Sequence, residues 1–178
     1  MNVLPLRHAT LADAPAIGAL VVRSMRGLAA RDYGPAQVEG SLDVLVGVDR
    51  QLLLDETYFV VEAGGRLVAA GGWSAREQLY GPSRDEGGGT FLDPATGAAR
   101  IRAFFVDPEF ARRGLARRIL LVCEAAARQA GFRRMELMAL MSGVAFYSAC
   151  GYREVMATEV TLPNGTVFAG VVMERALD

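Results

Sequence analysis

Residues 101–118, IRAFFVDPEFARRGLARR, leave few choices for the middle of this chain. Ile101, Ala103, Phe104, Phe105 and Val106 are apolar and partly aromatic, which predicts a strand. It stops at Asp107-Pro108, because proline lacks a backbone N–H and restricts the residue before it. After Arg112-Arg113-Gly114 a helix is predicted, with Leu115, Ile119, Val122, Cys123, Ala126 and Ala130 on one face. Arg117, Arg118, Glu124 and Arg128 lie largely off that face, and Gly131 is the C-cap. A strand, a turn rich in N–H groups and arginine, and a helix start together make an anion site. The free N–H groups of the first turn point outward, and the macrodipole adds roughly half a positive charge. Gly114 and Ala116 lack bulk where a phosphate would approach the backbone. A pyrophosphate cradle is the expected use; a basic solvated helix start, or a phosphate contact to nucleic acid, would use the same residues.

Elements follow on both sides. Val3–Arg7 alternates as a first strand, and Thr10 (N-cap) with Asp13 (N3) opens a helix running to about Ala30. That helix puts Ile17, Leu20, Val21, Ser24 and Leu28 on one side, and Gly34-Pro35 breaks it. A second helix is expected over Ala36–Val46, and Asp49–Glu56 is ambiguous. Thr57–Ala63 and Arg66–Trp73, joined by Gly64-Gly65, predict a hairpin. Gly71-Gly72 inside its second strand marks a bulge or a close backbone approach. From Ser74 to Ala99 the pattern dissolves into glycine, proline and scattered charge, so either a mobile loop over an acceptor site or a surface excursion without a role is expected. Phe132–Leu140 is the next strand, parallel to the one ending at Val106 because a helix crosses between them. Ser142 caps a short helix, Gly143–Cys150, ended by Gly151. Arg153–Thr161 and Val167–Arg175 form a last hairpin around Asn164-Gly165.

Composition narrows the function classes. The 178 residues suit one domain with a real core. No apolar run reaches the roughly 18 residues of a membrane span, and MNVLPLRHAT lacks the apolar core of a signal peptide. A cytoplasmic protein without a membrane partner is expected. The net charge of −1 argues against a nucleic-acid protein, although all 19 basic residues are arginine. Cys123 and Cys150 have no metal-type spacing, so free buried thiols and no metal are expected.

Arg112-Arg113-Gly114-Leu115-Ala116 resembles the acetyl-coenzyme A signature of the GCN5-related N-acetyltransferases (GNAT), Q/R-x-x-G-x-G/A. Gly114 and Ala116 fit its fourth and sixth places; Ala111 stands where Gln or Arg is usual, and the charge follows at once. Ala145-Phe146-Tyr147-Ser148-Ala149-Cys150-Gly151-Tyr152 resembles the family's F-Y-x-x-x-G-[FY] segment. The order of elements also resembles the family's, over essentially the whole chain. The resemblance implies an α/β (α+β) fold: one domain, 1–178, with a mixed, mostly antiparallel sheet of about seven strands flanked by helices and a splayed central parallel pair.

It further implies acetyl-coenzyme A as co-substrate and direct transfer of the acetyl group to a primary amine of a small molecule or peptide. The cofactor-binding residues would be Phe104, Phe105, Val106, Ala111, Arg112, Arg113, Gly114, Leu115, Ala116, Arg117, Ser142 and Tyr147. A backbone N–H near Phe105 or Val106 would polarise the thioester carbonyl. Tyr147 would be the general acid, because a leaving thiolate whose thiol pKa is about 8.5 needs a donor and a phenol near 10 can serve. Leu140 and Gly143 occupy places where members often carry Asn and Ala, with Ser142 near enough to substitute. No carboxylate lies in 100–106, where members often place the base; Glu136, His8, Glu77, Tyr80 and Asp93 are candidates, and none is assigned. Asp32, Tyr33, Trp73 and the 74–99 loop would wall the acceptor pocket. A homodimer, common in the family, is a further expected partner, and a coenzyme A-binding sensor that has lost transfer is the competing function.

Overall fold

The computed structural model describes residues 4–83, 87 and 89–177. Val3, the expected start of the first strand, and residues 84–86 and 88 of the long loop lie outside them. The described strands are β1 (Leu6–His8), β2 (Tyr58–Ala63), β3 (Arg66–Ser74), β4 (Ala99–Val106), β5 (Arg134–Leu140), β6 (Arg153–Thr161) and β7 (Val167–Ala176). They form one sheet in the order β1-β2-β3-β4-β5-β7-β6, in which β4 and β5 run parallel and the other neighbours antiparallel. The helices are α1 (Ala14–Gly27), α2 (Pro35–Ser41), α3 (Arg50–Leu54), α4 (Leu115–Gln129) and α5 (Met141–Ala149). The parallel pair follows from α4, since a strand can return beside its predecessor in the same direction only through a crossover.

Both faces of the sheet are covered. On one, Phe59 and Val61 of β2 join Ile119, Leu120, Cys123 and Ala127 of α4. On the other, Tyr58 and Val60 join Ile17, Leu20, Val21 and Met25 of α1. The period of two sends neighbouring side chains to opposite faces, and burial on both accounts for the unbroken apolar run of β2.

The second helix ends at Ser41, short of the expected Val46, and three further sequence expectations need correction. The first helix does not run unbroken to Ala30: a 3-10 turn at Leu11–Asp13 precedes α1, and another at Ala29–Arg31 follows it. The Asp13 carboxylate does accept from the Thr10 N–H, at 2.8 Å. On α4 the buried face includes Leu120, Glu124 and Ala127, with Val122 and Ala126 at its margin. Glu124, expected off that face, is buried because Arg175 donates to its carboxylate at 2.9 Å and the Tyr152 hydroxyl at 3.1 Å, which pairs the charge. Ser142 does not cap α5. Leu140 holds the cap position, and the Met141 N–H donates to the Tyr33 hydroxyl at 2.8 Å. That hydroxyl donates in turn to the Ala169 carbonyl at 2.6 Å, while its ring stacks on Phe168 at 3.9 Å. A residue over one hundred positions away thus does the work of a local cap.

Gly71 and Gly72 mark both features expected of them. Ala70 pairs with Phe105 and Gly72 with Arg102, so Ala103 and Phe104 of β4 stand opposite Gly71 alone. This is a β-bulge, with Ala103 at φ 53. A Cβ on Gly71 would lie 2.6 Å from the Phe104 ring, and one on Gly72 would lie 2.5 Å from the Thr57 carbonyl oxygen. Gly72→Ala must therefore move backbone, and a loss of about 1–3 kcal/mol is expected by urea unfolding. An unchanged midpoint would refute that close approach.

Candidate active site

β4 and β5 pair at Ala99↔Met135 and Arg100↔Glu136. Beyond that the ladder stops, although the strands continue to Val106 and Leu140. The bulge at Ala103 lies just past the last pair. The parallel strands separate there, as expected, and leave an opening edged by unpaired backbone.

Alternation along β4 decides which N–H groups face that opening. The Asp107 N–H donates to the Val68 carbonyl at 2.9 Å, on the β3 side. With Phe105 opposite Ala70 and Val106 opposite Ala69, the Phe105 N–H also faces β3, whereas the Val106 N–H faces away. Its partner is the Ser24 hydroxyl at a long 3.3 Å. Of these two amides, that of Val106 is therefore the one that faces the opening. The Phe105 side chain is buried in the α1 core, and that of Phe104 turns to the opposite face.

The turn after β4 is built on a buried carboxylate. Asp107 accepts from Arg23 at 2.8 Å and from the Glu109 N–H at 3.1 Å, opening the 3-10 turn Pro108–Phe110. Despite the desolvation that opposes it, the Arg23 bond and the nearby guanidiniums hold the Asp107 carboxyl below its usual range. Ala111 is extended, Arg112 has φ 64, and Gly114, the N-cap of α4, has φ 77. The first turn of a helix leaves its N–H groups without intrahelical acceptors, and none of the hydrogen bonds among the described residues uses those of Arg112, Arg113 or Gly114. Arg112, Arg113, Gly114 and Arg117 are exposed and Ala116 is half-buried, while Leu115 is buried and fixes the turn to the core. Arg113 lies over the Phe110 ring at 4.7 Å, and Arg118 donates to the Leu4 carbonyl at 3.0 Å.

α5 brings Tyr147 to the same opening. Its ring meets Phe104 of β4 edge-on at 6.3 Å and packs against Phe146 at 4.9 Å and Tyr152 at 5.7 Å. Four tyrosines are buried: Tyr33, Tyr58, Tyr147 and Tyr152. Tyr33 donates to Ala169, Tyr58 to the Ala103 carbonyl at 2.6 Å, and Tyr152 to Glu124. The Tyr147 hydroxyl has no hydrogen-bond partner among the described residues, yet it is not one of the fully enclosed unpaired atoms, so it keeps access to solvent. Burial pushes this phenol well above its ordinary pKa, and Cys123 and Cys150 add to the shift. A hollow of about 140 Å³ lies between α4, α5 and β7, lined by Arg117, Leu120, Glu124, Ala149, Cys150 and Arg175. Of the expected cofactor-binding residues, Arg117 is in its lining. Ser142 is exposed on the first turn of α5.

Other candidates lie elsewhere. Glu136 sits at the last paired position, ion-paired to Arg100. His8 is exposed on the edge strand β1, against the Glu56 carbonyl at 2.9 Å. Trp73 is buried edge-on to Phe132, and Tyr33 is buried and tied to Ala169. Asp93 caps a turn by accepting from the Ala95 N–H at 2.9 Å. The base of the long loop is laced by Leu92 to Ala75 and Glu77 to Thr90 backbone bonds, and Arg76 clamps it to Asp55. Among the described residues no group of His, Cys, Asp or Glu is placed to hold a metal, and no helix is long and apolar enough to cross a membrane.

Among the ion pairs that sequence reading passed over, one is almost sealed from solvent. Arg102 and Asp49, each nearly fully buried, meet at 2.8 Å. Arg102 also donates to the Gln78 carbonyl at 2.9 Å and to that of Gly81, which hangs the start of the long loop on β4. The available signal was a charge inside an otherwise apolar strand, since such residues are almost never fully buried unless paired.

The model of the acetyltransferase (GNAT) family matches residues 23–152. Solved structures that share the fold include three acetyltransferases. A GCN5-related N-acetyltransferase from Rhodopseudomonas palustris is 19% identical, with 99% of this chain and 98% of that one covered at a TM-score of 0.72. The PaiA N-acetyltransferase of Thermoplasma acidophilum, in complex with coenzyme A, is 12% identical over 98% and 99%, at 0.66. The ribosomal-protein-S18-alanine N-acetyltransferase of Escherichia coli is 15% identical over 99% and 95%, at 0.58. At these identities the likeness speaks to the fold alone. No curated protein matches the chain at a significant level. With the family model spanning most of the sequence, and with the splayed parallel pair, the arginine turn and the tyrosine helix all present, the chain belongs to the GCN5-related N-acetyltransferase family.

Proposed function

We propose that this protein is an N-acetyltransferase that moves an acetyl group from acetyl-coenzyme A to a primary amine by direct transfer. The observation that carries the reading is the Tyr147 hydroxyl: of the four buried tyrosines, it alone lacks a hydrogen-bond partner within the described chain, and it sits where β4 and β5 part. A fixed ring with a free, solvent-reachable hydroxyl suits a proton donor better than a structural tie.

The residues fit the co-substrate. Backbone amides of Arg112–Arg117, presented by two left-handed residues and a helix N-terminus, suit a pyrophosphate, and the exposed guanidiniums of Arg112, Arg113 and Arg117 add charge-assisted bonds. The unpaired edge of β4 at Phe104–Val106 offers peptide-like groups to an amide-bearing arm laid along it. Acetyl-coenzyme A supplies the acetyl group as a thioester with a thiol leaving group. The Val106 N–H, held by a long bond to Ser24, would donate to an oxygen that gains negative charge. The Tyr147 Oη holds the proton that a departing thiolate requires; a phenol is protonated at neutral pH, and burial moves its pKa further up. Ser142, exposed past the end of β5, is a further candidate contact along the arm.

The test is release of free thiol from acetyl-coenzyme A in the presence of an amine panel. Turnover with a primary amine is expected; tight binding without turnover across a broad panel would instead mark a coenzyme A sensor. The cradle has its own check. Gly114 and Gly165 both have positive φ, 77 and 82, and a Cβ on either would meet nothing within 4 Å. A side chain strains the left-handed conformation by about 1–2 kcal/mol, or roughly tenfold in an equilibrium. Gly114→Val is therefore expected to weaken acetyl-coenzyme A about tenfold by calorimetry, whereas Gly165→Val leaves the Kd unchanged. Equal effects would remove the turn from the binding site.

A further inference from the structure

A cleft of about 470 Å³ lies between the segment after α2, the start of the long loop and the end of β6. Its walls include Leu45, Tyr80, Pro82, Val160, Thr161 and Pro163. Its wall is tied through a side chain to β4, the strand that edges the gap. Val160 of β6, which lines the cleft, packs against the same α1 core as Ala103, Met138 and Leu140 of the parallel strands. Arg102, the residue before the bulge, holds the carbonyls of Gln78 and Gly81, which form part of the cleft wall.

From this lining we infer that the cleft is the acceptor site and takes a monoamine whose remaining body is uncharged and apolar, an aralkylamine or alkylamine; this rests on the transferase reading above. Valine, leucine and proline side chains and one tyrosine ring supply apolar walls, while Gln78 and Thr161 supply neutral polar groups. None of the described lining residues carries a charge. The charged pair behind the wall, Arg102–Asp49, is buried and mutually neutralised. A polyamine or aminoglycoside needs carboxylates for its extra ammonium groups, and an amino acid needs a cation for its carboxylate. Against these walls such charges would lose hydration without gaining a partner. The volume falls within the range of small-molecule sites.

The experiment compares phenethylamine and tryptamine with spermidine, kanamycin and glutamate at saturating acetyl-coenzyme A, following thiol release. Calorimetry of acetyl-coenzyme A, and of phenethylamine alone, runs in parallel. The apolar amines are expected to exceed the charged ones at least tenfold in kcat/KM. Thr161→Asp, at an exposed position, should lower phenethylamine and raise spermidine with the acetyl-coenzyme A Kd unchanged; Tyr80→Ala should weaken phenethylamine. A preference for charged acceptors, or an acceptor order indifferent to both variants, overturns the inference. Failure of acetyl-coenzyme A to bind would overturn the transferase reading instead. In that case binding of phenethylamine that Thr161→Asp abolishes still assigns the cleft, and its absence removes it.

Discussion

Replacing Tyr147 by phenylalanine is expected to lower kcat by about 10²–10⁴-fold, the range for loss of a positioned general acid, with the acetyl-coenzyme A Kd within about threefold of the parent value. The ring stays, so its contacts with Phe104, Phe146 and Tyr152 persist. The hydroxyl has no partner to orphan among the described residues, so stability should change by less than about 0.5 kcal/mol. Tyr58→Phe is the natural contrast. Its hydroxyl donates to the Ala103 carbonyl at 2.6 Å, and deleting it leaves a buried acceptor at the bulge, costing about 1–3 kcal/mol. The pH profile gives a second reading. An ordinary phenol loses its proton near pH ~10 and would bring an alkaline fall in kcat there. Burial moves the Tyr147 pKa upward, the neutral acid persists, and that fall should be absent. Near-full kcat in Tyr147→Phe would make this residue a packing aromatic and dismiss the proton-donor mechanism.

How much of this was legible beforehand depended on how local the determinant was. Pro108 ended β4 where expected, Gly64-Gly65 and Asn164-Gly165 turned their hairpins, and Gly71-Gly72 announced the bulge, because each acts through its own backbone. The arginine turn was read from its own residues, whereas Tyr147 was singled out by the resemblance, and the role of each is a proposal. Errors arose wherever a distant partner overruled the local pattern. Glu124 is buried because Arg175 and Tyr152 reach it from β7 and the end of α5. Ser142 lost the cap of α5 to Tyr33, and the amide choice between Phe105 and Val106 needed the register with β3. Helical periodicity carries no record of such partners, which become neighbours only once the sheet is assembled.

The Arg102–Asp49 pair is the strongest of these long-range ties, and Asp49→Ala is expected to destabilise the protein by about 3–5 kcal/mol, the range for stranding one member of a buried ion pair. For a chain of this size that is a fall of roughly 6–20 °C in Tm. Both side chains are nearly sealed from solvent, at 4% and 3% exposure. Burial already pulls the Arg102 pKa below its ordinary value, with Asp49 opposing that shift. Without the carboxylate the guanidinium keeps two backbone carbonyls but no countercharge. Asp49 also accepts from the Gln51 N–H at 3.0 Å as the cap of α3 and from Ser83 at 3.1 Å, so the helix and the loop loosen together. Asp49→Ala with Arg102→Met should recover part of the loss, since an apolar replacement removes the stranded charge. The carbonyls of Gln78 and Gly81 lose their anchor in that double variant, and both residues line the cleft. Its KM for an apolar amine should therefore rise while the acetyl-coenzyme A Kd holds, because the arginine turn stands on Asp107 and α4. A double variant no more stable than Asp49→Ala would show that the loop bonds, rather than the charge pair, hold this corner; an unchanged amine KM would uncouple the pair from the acceptor wall.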